Sequence, residues 1–497
     1  GNVIMLLPEK LATVGNGQIE TGFEAFFGRF IYDYQGKYLL TATVRRDGSS
    51  KFGKNNRWGT FPAVSGAWRI SEENFIPDLG WLSNLKLRLG YGISGSDNVP
   101  NYQYASSVGT GGQFNYSFNG GEIDGATLNR LANTYLKWEE IKMTNLGLDV
   151  GLWGGRVNVL ADFYDKTTSD LFLPFAPALE LGNEVNPDGN LGEVNNKGVD
   201  LSISTVNFQG DFRWTTDFIF GTVKNKIVKL PEDADRFISG GWQNNLVNIS
   251  RVGEEIGALY GYVTDGIFQD WDEVYNHAYQ NQKVIEFDEN NQPVYDNQAR
   301  DETTGHSFSA PGDIRFKDLN GDGVIDAEND RQIIGSTIPD YTWGLTNHFA
   351  YKGISLSVFL QGVHGVDTYN SLRRNYLGEE VLDAWEGPGT SNSQPRILMN
   401  DPNGNGRISS RWVENSSFIR LKNLRLAYNL PQSLISKIGV DVLQFYLTGT
   451  NLLTFTEYSG YDPEIGLRSG GDNETAGIDD GQYPLTRQFT LGVKITL

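Results

Sequence analysis

The sequence predicts an all-β chain, a transmembrane antiparallel β-barrel with short turns at one end and long loops at the other. Three observations predict it. Apolar side chains recur at every second position through many segments, as in FTLGVKITL at 489–497. Successive strand side chains point to opposite faces, so each such strand has one face suited to lipid and one suited to water. No apolar run approaches the roughly 20 residues that a spanning helix needs. Finally, tight turns alternate with long connections, which is the outer-membrane arrangement with the short turns in the periplasm.

Taken in chain order, alternation and turn residues place strands at 23–34, 38–47, 58–71, 85–94, 142–152, 156–166 and 197–207. Further strands are expected at 212–224, 341–351, 354–363, 417–429, 440–449 and 485–497. In the second, Tyr38, Leu40, Ala42 and Val44 oppose Thr41, Thr43 and Arg45. In the fourth, Leu85, Leu87, Leu89, Tyr91 and Ile93 oppose Lys86, Arg88, Gly90 and Gly92. The fifth sets Leu146, Leu148 and Val150 against Asn145, Gly147 and Asp149. Leu201 and Ile203, Phe218 and Phe220, and Leu356, Val358 and Leu360 carry the same pattern onward. The eleventh breaks phase between Leu421 and Leu424, which a bulge near Asn423 would repair.

Gln35-Gly36, Gly154-Gly155, Gln209-Gly210-Asp211 and Lys352-Gly353 are hairpin turns. Residues 71–84 and 431–439 belong to the same side. The intervening connections are long: 95–141, 364–416, 452–484 and above all 225–340, which is expected to be a long extracellular loop region. The whole of 1–497 then belongs to one barrel domain. Thirteen strands is an odd number, and single-chain barrels have an even one, so the barrel is expected to be incomplete, with Gly1 on the extracellular side. A soluble sandwich alternates too; two layers around an oily centre would mark that fold instead.

Composition narrows the function. With 41 basic against 61 acidic residues the net charge is −20, which argues against nucleic acid as a partner. There is no cysteine, hence no disulfide, thiolate metal site or cysteine nucleophile. His277, His306, His348 and His364 show no metal-ligand spacing. No phosphate-binding loop, nucleophile elbow or acid–base pair stands out, so an enzyme is not expected. The start, GNVIMLLPEK, lacks the features of a secretory signal.

One segment has the spacing of a calcium loop. Asp318, Asn320, Asp322, the Val324 carbonyl and Asp326 fall at successive ligand offsets, Gly323 takes the sharp-turn position, and Asp330 is a further candidate ligand. Calcium takes six to eight hard oxygens, and neighbouring carboxylates repel one another without a cation. The twelfth position is Asn329, however, so the bidentate Glu is missing and a solvated acidic turn is the competing reading. DPNGNG at 401–406 has one carboxylate and reads as a turn. Trp58, Trp68, Trp153, Trp214 and Trp343 lie near strand ends, where interfacial girdles gather. Trp242, Tyr260, Tyr262, Trp271, Tyr369, Tyr376 and Trp385 fall in loops, where they could stack on sugars or pack the loops, or bury against the lid protein that the family resemblance given next implies. Arg45, Lys86, Arg88 and Lys494 face the lumen and are expected to pair with carboxylates of the wall, or of the plug that the family resemblance given next implies, rather than with substrate.

Several stretches resemble one family in order along the chain: GKYLLTATVRRDGSSKFGKNNRWGTFPAVSGAWRISEE from Gly36, NLKLRLGYGISG from Asn84, DFYDKTTSDLF from Asp162, GEVNNKGVDLSIS from Gly192, FKDLNGDGVIDAENDRQIIGSTIPDYTWGLTN from Phe316, SRWVENSSFIRLKNLRLAYNLP from Ser410 and TNLLTFTEYSGYDPE from Thr450. They are similar to the SusC type of TonB-dependent transporter, the outer-membrane nutrient importers of Bacteroidetes. The resemblance implies a plugged barrel of about 22 strands, of which this chain would be the carboxy-terminal portion. It also implies a SusD-like surface lipoprotein as lid, contact with TonB through an amino-terminal part, and oligosaccharides or peptides as cargo. The chain departs from the pattern in showing no plug or TonB-contacting segment and in ending at Leu497 where an aromatic is usual. An outer-membrane scaffold that anchors surface lipoproteins without transport is the alternative.

Overall fold

Among the described residues thirteen strands form one continuous antiparallel sheet, each hydrogen-bonded to its neighbours in sequence order. The computed structural model describes residues 20–496 apart from 111–114, 124, 175–187, 232–235, 243–244, 281–283, 288–292, 296–308, 376–381, 399–400, 402, 437–438 and 467–474. The strands are β1 (Phe23–Tyr34), β2 (Tyr38–Ser49), β3 (Trp58–Arg69), β4 (Leu82–Ser96), β5 (Glu139–Leu152), β6 (Val157–Pro174), β7 (Asp188–Phe208), β8 (Phe212–Lys229), β9 (Tyr341–Tyr351), β10 (Ile354–His364), β11 (Phe418–Asn429), β12 (Val442–Thr456) and β13 (Gln488–Thr496). No described helix is long and apolar enough to cross a membrane, which says nothing about strands.

Register fixes which side chains share a face, because residues opposite one another across an antiparallel pair point the same way. Leu89 faces Leu146, Leu146 faces Phe163, and Phe163 faces Val199. One residue along, Arg88 faces Gly147, Gly147 faces Asp162, and Asp162 faces Asp200. The sheet therefore has an apolar face and a polar face. On the apolar face Leu89 is 57% exposed and Leu491 80%, with Val44, Leu148, Phe163, Leu447 and Ile495 also uncovered. Among the described residues no second layer lies on it. An apolar surface that runs across many strands is insoluble in water, so this face requires lipid.

The buried hydrophobic clusters lie at the long-loop end. One joins Phe52, Phe61, Val99, Leu136 and Trp138. Another joins Val247, Leu259, Tyr369, Trp412 and Ile478, drawn from three of the long connections. Short sheets tie those segments together: Asn245–Arg251 and Ala258–Tyr262 pair with each other, and the latter with Arg331–Gly335. Asp367–Asn370 pairs with Val413–Asn415 on one side and with Ile478–Asp479 on the other. The long connections are thus a folded cap with its own core.

Several strand ends shift in detail. β6 and β7 run well past the predicted 166 and 197, staying paired out to Pro174 and Asp188. Thr167, Thr168, Asn195 and Asn196 are polar, so alternation fades there while the backbone ladder, which needs no particular side chains, continues. β12 likewise extends to Thr456, and β13 starts at Gln488 rather than 485. The expected bulge in β11 is present: register shifts between Leu421 and Asn423, leaving Lys422 as the extra residue against β10, while on β12 Asn451 and Leu452 together oppose it. At the opposite end, Trp153, Gly154 and Gly155 turn β5 into β6 with three consecutive positive φ angles of 51°, 67° and 84°. Two glycines make that turn cheap, since left-handed backbone costs a side-chain-bearing residue.

Candidate functional site

The polar face is an ion-paired wall. Arg88 on β4 reaches across β5 to Asp162 on β6, donating from Nη1 and Nη2 at 2.9 and 2.8 Å, while its Nε donates to Asp149 at 2.8 Å. Lys86 Nζ sits 2.7 Å from the other oxygen of Asp149. The span is open only because residue 147 is glycine: a Cβ there would lie 2.5 Å from the Arg88 Cζ. Lys197 pairs with Asp165 at 2.9 Å. Of the four predicted inward cations, Lys86, Arg88 and Arg45 have wall carboxylates as partners, and Lys494 has none within 4 Å among the described residues.

The cap carries polar chemistry that sequence reasoning did not find. Asp313 is fully buried and takes both Nε and Nη2 of Arg396 at 2.8 Å, the Ala310 amide at 2.9 Å and Asn405 Nδ2 at 3.1 Å. Asn403 donates to the Ile314 carbonyl and to Asn405, and Gln280 donates to Asn403 and accepts from the Phe316 amide. The DPNGNG stretch turns as expected where it is described, with both Asp401 oxygens on the amides of Asn405 and Gly406. Its asparagines do more, knitting the turn to Ile314–Phe316. Nothing local in the sequence marks them, because their partners lie about ninety residues away.

The loop aromatics divide. Tyr260 and Tyr369 are buried and pack the cap. Tyr262 is half-buried with the Arg407 guanidinium 5.4 Å from its ring centroid. Trp385 donates from Nε1 to Gln269 at 3.2 Å. Trp271 is exposed and stacks on Tyr275 with centroids 5.7 Å apart. Tyr376 and the side chain of Trp242 lie outside the described residues. Trp68, Trp153 and Trp214 gather near the short turns and Trp58 and Trp343 near the cap, as girdles would.

The acidic turn brings its predicted residues onto one loop but gives their oxygens to protein amides. Asp318 accepts from Gly321 N and Gly323 N at 2.7 and 2.9 Å. Asp322 accepts from Val324 N at 2.8 Å and from Asn320 Nδ2 at 2.7 Å. Asp326 accepts from the amides of Glu328 and Asn329, which hold its carboxyl below the usual range, Asn329 first. Asp330 is fully buried and clamps both ends of the turn through Leu319 N and Asp326 N, each at 2.7 Å. Among the described residues no three carboxylate or imidazole groups sit close enough to hold a metal together. Replacing Asp330 with Ala strands two amides and is expected to cost about 1–3 kcal/mol locally. Hydrogen exchange at Leu319 and Asp326 checks it; unchanged protection would show the clamp to be dispensable.

A second carboxylate junction sets a pH response. Ser336 Oγ donates to Glu255 at 2.9 Å and Ser336 N to Asp367 at 3.1 Å, joining three loop segments, with Asp340 beside Asp367. Burial raises the Glu255 carboxyl above its usual 4.5, and Asp367 and Glu254 raise it further. Burial likewise raises Asp367. A carboxyl with a raised folded value contributes stability that is complete below its ordinary range and lost as pH rises through the folded value. Exchange protection of residues 331–340 is therefore expected to increase on acidification, and Glu255→Gln to flatten that slope. A slope unchanged by Glu255→Gln would place the response elsewhere.

A one-layer antiparallel sheet, apolar outside, ion-paired inside and capped at the long-loop end, defines the wall of an outer-membrane β-barrel. The family profile described as TonB dependent receptor-like, beta-barrel, matches residues 10–452, and the chain belongs to that family, one of outer-membrane receptors and transporters rather than enzymes. Within it the chain is similar to TonB-dependent receptor P3 of Formosa agariphila, 35% identical over 96% of this chain and 46% of the relative. It is also similar to TonB-dependent receptor SusC of Bacteroides thetaiotaomicron, 29% identical over 95% of this chain and 43% of the relative. A solved structure of the RagAB peptide transporter superposes with a TM-score of 0.74 at 25% identity, covering 96% of this chain and 48% of that one. The chain spans just under half the length of these relatives.

Proposed function

We propose that this barrel segment works in a longer protein as a TonB-dependent importer of oligosaccharides or peptides, together with a SusD-like lipoprotein seated on the cap. The observation that carries the reading is the pairing of an ion-paired, polar inner face with a folded cap on one end only. A polar lumen passes hydrophilic cargo, and a cap of fixed shape can recognise both cargo and lid. The cap lies on the extracellular side, and a plug encoded outside these residues gates the lumen. Likeness to SusC supports the TonB-dependent type, and likeness to the RagAB peptide transporter supports peptide as one of the two cargo classes.

The test is uptake of labelled oligosaccharides and peptides by cells with and without the intact gene, each with and without TonB. TonB-dependent uptake of one class is expected. Lipoprotein retained at the surface with no uptake of either class would leave a scaffold in its place.

For the acidic turn we propose calcium held by Asp318, Asn320, Asp322, the Val324 carbonyl and Asp326, with Asp330 bracing the turn. Its support is the ligand offset pattern; binding would require Asp318 and Asp322 to exchange amide donors for the cation. Calorimetric titration with calcium is expected to give heat that Asp322→Asn removes. No heat in either protein would leave an amide-capped turn.

A further inference from the structure

We infer that Arg45 is a carboxylate-recognition subsite on the inner wall, taking an acidic unit of the cargo; this rests on the import reading above. Arg88 supplies the template on the same wall. One guanidinium there holds two carboxylates, Asp149 along its Nε edge and Asp162 across its Nη fork. Planar fork geometry makes that second, bidentate contact the strong and directional one. Arg420 is filled in the same sense, with Thr454 on Nε, Glu464 on Nη1 and Asp462 on Nη2. Arg45 has only the first half. Its Nε donates to both oxygens of Asp47 at 2.7 Å, and among the described residues nothing accepts from its Nη atoms. The Arg45 side chain is 52% exposed while that of Asp47 is 8%, so a buried carboxylate orients an exposed, vacant fork.

The surroundings say what the second carboxylate should be attached to. Arg45 lines a cavity of about 580 Å³ on the polar face near the cap. Phe23, Phe61 and Trp138 wall it, with Trp138 5.5 Å from Phe61 and 6.2 Å from Phe23 between ring centroids. The Arg45 Cζ lies 6.0 Å from the Phe23 ring centroid. The other charges there are engaged: Lys51 Nζ donates to the Asp97 carbonyl at 2.9 Å and Ser49 Oγ to the Asp97 carboxylate at 2.8 Å. The site therefore fits a carboxylate joined to an apolar ring face or side chain, which is the chemistry of a uronate sugar or of a peptide terminus.

The experiment titrates the full-length protein in detergent, by calorimetry, with two matched pairs: trigalacturonate against its methyl ester, and an apolar tetrapeptide with a free against an amidated carboxy terminus. In one pair the acid is expected to bind about tenfold or more tightly than its neutral partner. Arg45→Gln is expected to erase that preference while leaving the neutral form unchanged, and Arg45→Lys, which keeps the charge without the fork, to restore only part of it. The pair that separates identifies the source of the carboxylate. A preference untouched by Arg45→Gln, no preference in either pair, or no binding of any probe overturns the inference. So does a lowered melting temperature in Arg45→Gln with both pairs unaffected, since the fork would then be filled by a carboxylate of the full-length protein itself. Calorimetry needs neither TonB nor an energised membrane, so failed uptake with Arg45-dependent binding sinks the import reading alone.

Discussion

Leu89→Arg is expected to destabilise the barrel in lipid by about 2–4 kcal/mol, the cost of an arginine near the bilayer midplane. Leu89 is exposed on the apolar face, opposite Gly66 and Leu146 in mid-sheet, so no protein group is placed to receive the charge. Its neighbour provides the control. Gly90 points to the polar face, and the nearest atom to a Cβ built there is the Ser65 Cβ at 3.9 Å. Gly90→Arg therefore extends into water and is expected to stay within about 0.5 kcal/mol of the parent. Denaturant titration of the protein refolded into vesicles measures both. Equal costs for the two substitutions would remove lipid from the apolar face and with it the barrel assignment.

The second large effect is expected at Arg420, which is 1% exposed at the third residue of β11, next to the cap. Its Nη2 donates to Asp462 at 2.6 Å and its Nη1 to Glu464 at 2.7 Å, joining the wall to the 457–487 connection. Removing one partner of a buried pair leaves the other charge uncompensated, at about 3–5 kcal/mol. Arg420→Met should fall near the lower end, because Glu464 is partly exposed. Burial by itself would raise the Asp462 carboxyl, yet Arg420 and the amides of Glu464 and Leu485 hold it below its ordinary value. A depressed folded value contributes stability present above the ordinary range and lost as pH falls through the folded one. Protease cleavage within 457–487 should thus accelerate in Arg420→Met at neutral pH and in the parent only on strong acidification. Resistance equal to the parent at neutral pH would show that the connection is held by something else.

Much of the wall was legible in the sequence. Leu85 to Ile93 alternate because lipid and water meet a strand on opposite sides, and that demand acts on each strand separately, within one short window. The same local logic revealed the β11 bulge, since Ile419 and Leu421 sit out of phase with Leu424 and Leu426. Strand ends at Pro174 and Asp188 were not legible, because beyond the lipid the ladder tolerates polar residues on both sides. The candidate sites divide along the same line. Lys86 and Arg88 could be assigned to the inner face by parity, whereas Asp162 as a shared partner could not, being 74 residues from Arg88 in sequence.

By itself, then, the sequence determined the fold class, the two faces of the sheet and the division between short turns and long loops. The first two follow from forces that act at a spacing of two residues and the third from turn residues between neighbouring strands, so all are local. Only the tertiary structure decided that Tyr260 and Tyr369 are core, that Asp330 is a clamp, that Asn403 and Asn405 bind a distant strand, and that the Arg45 fork stands open where the Arg88 fork is closed. Those outcomes depend on which groups meet across tens to hundreds of residues, and a hydrogen bond or ion pair is decided by distances that a linear pattern does not carry.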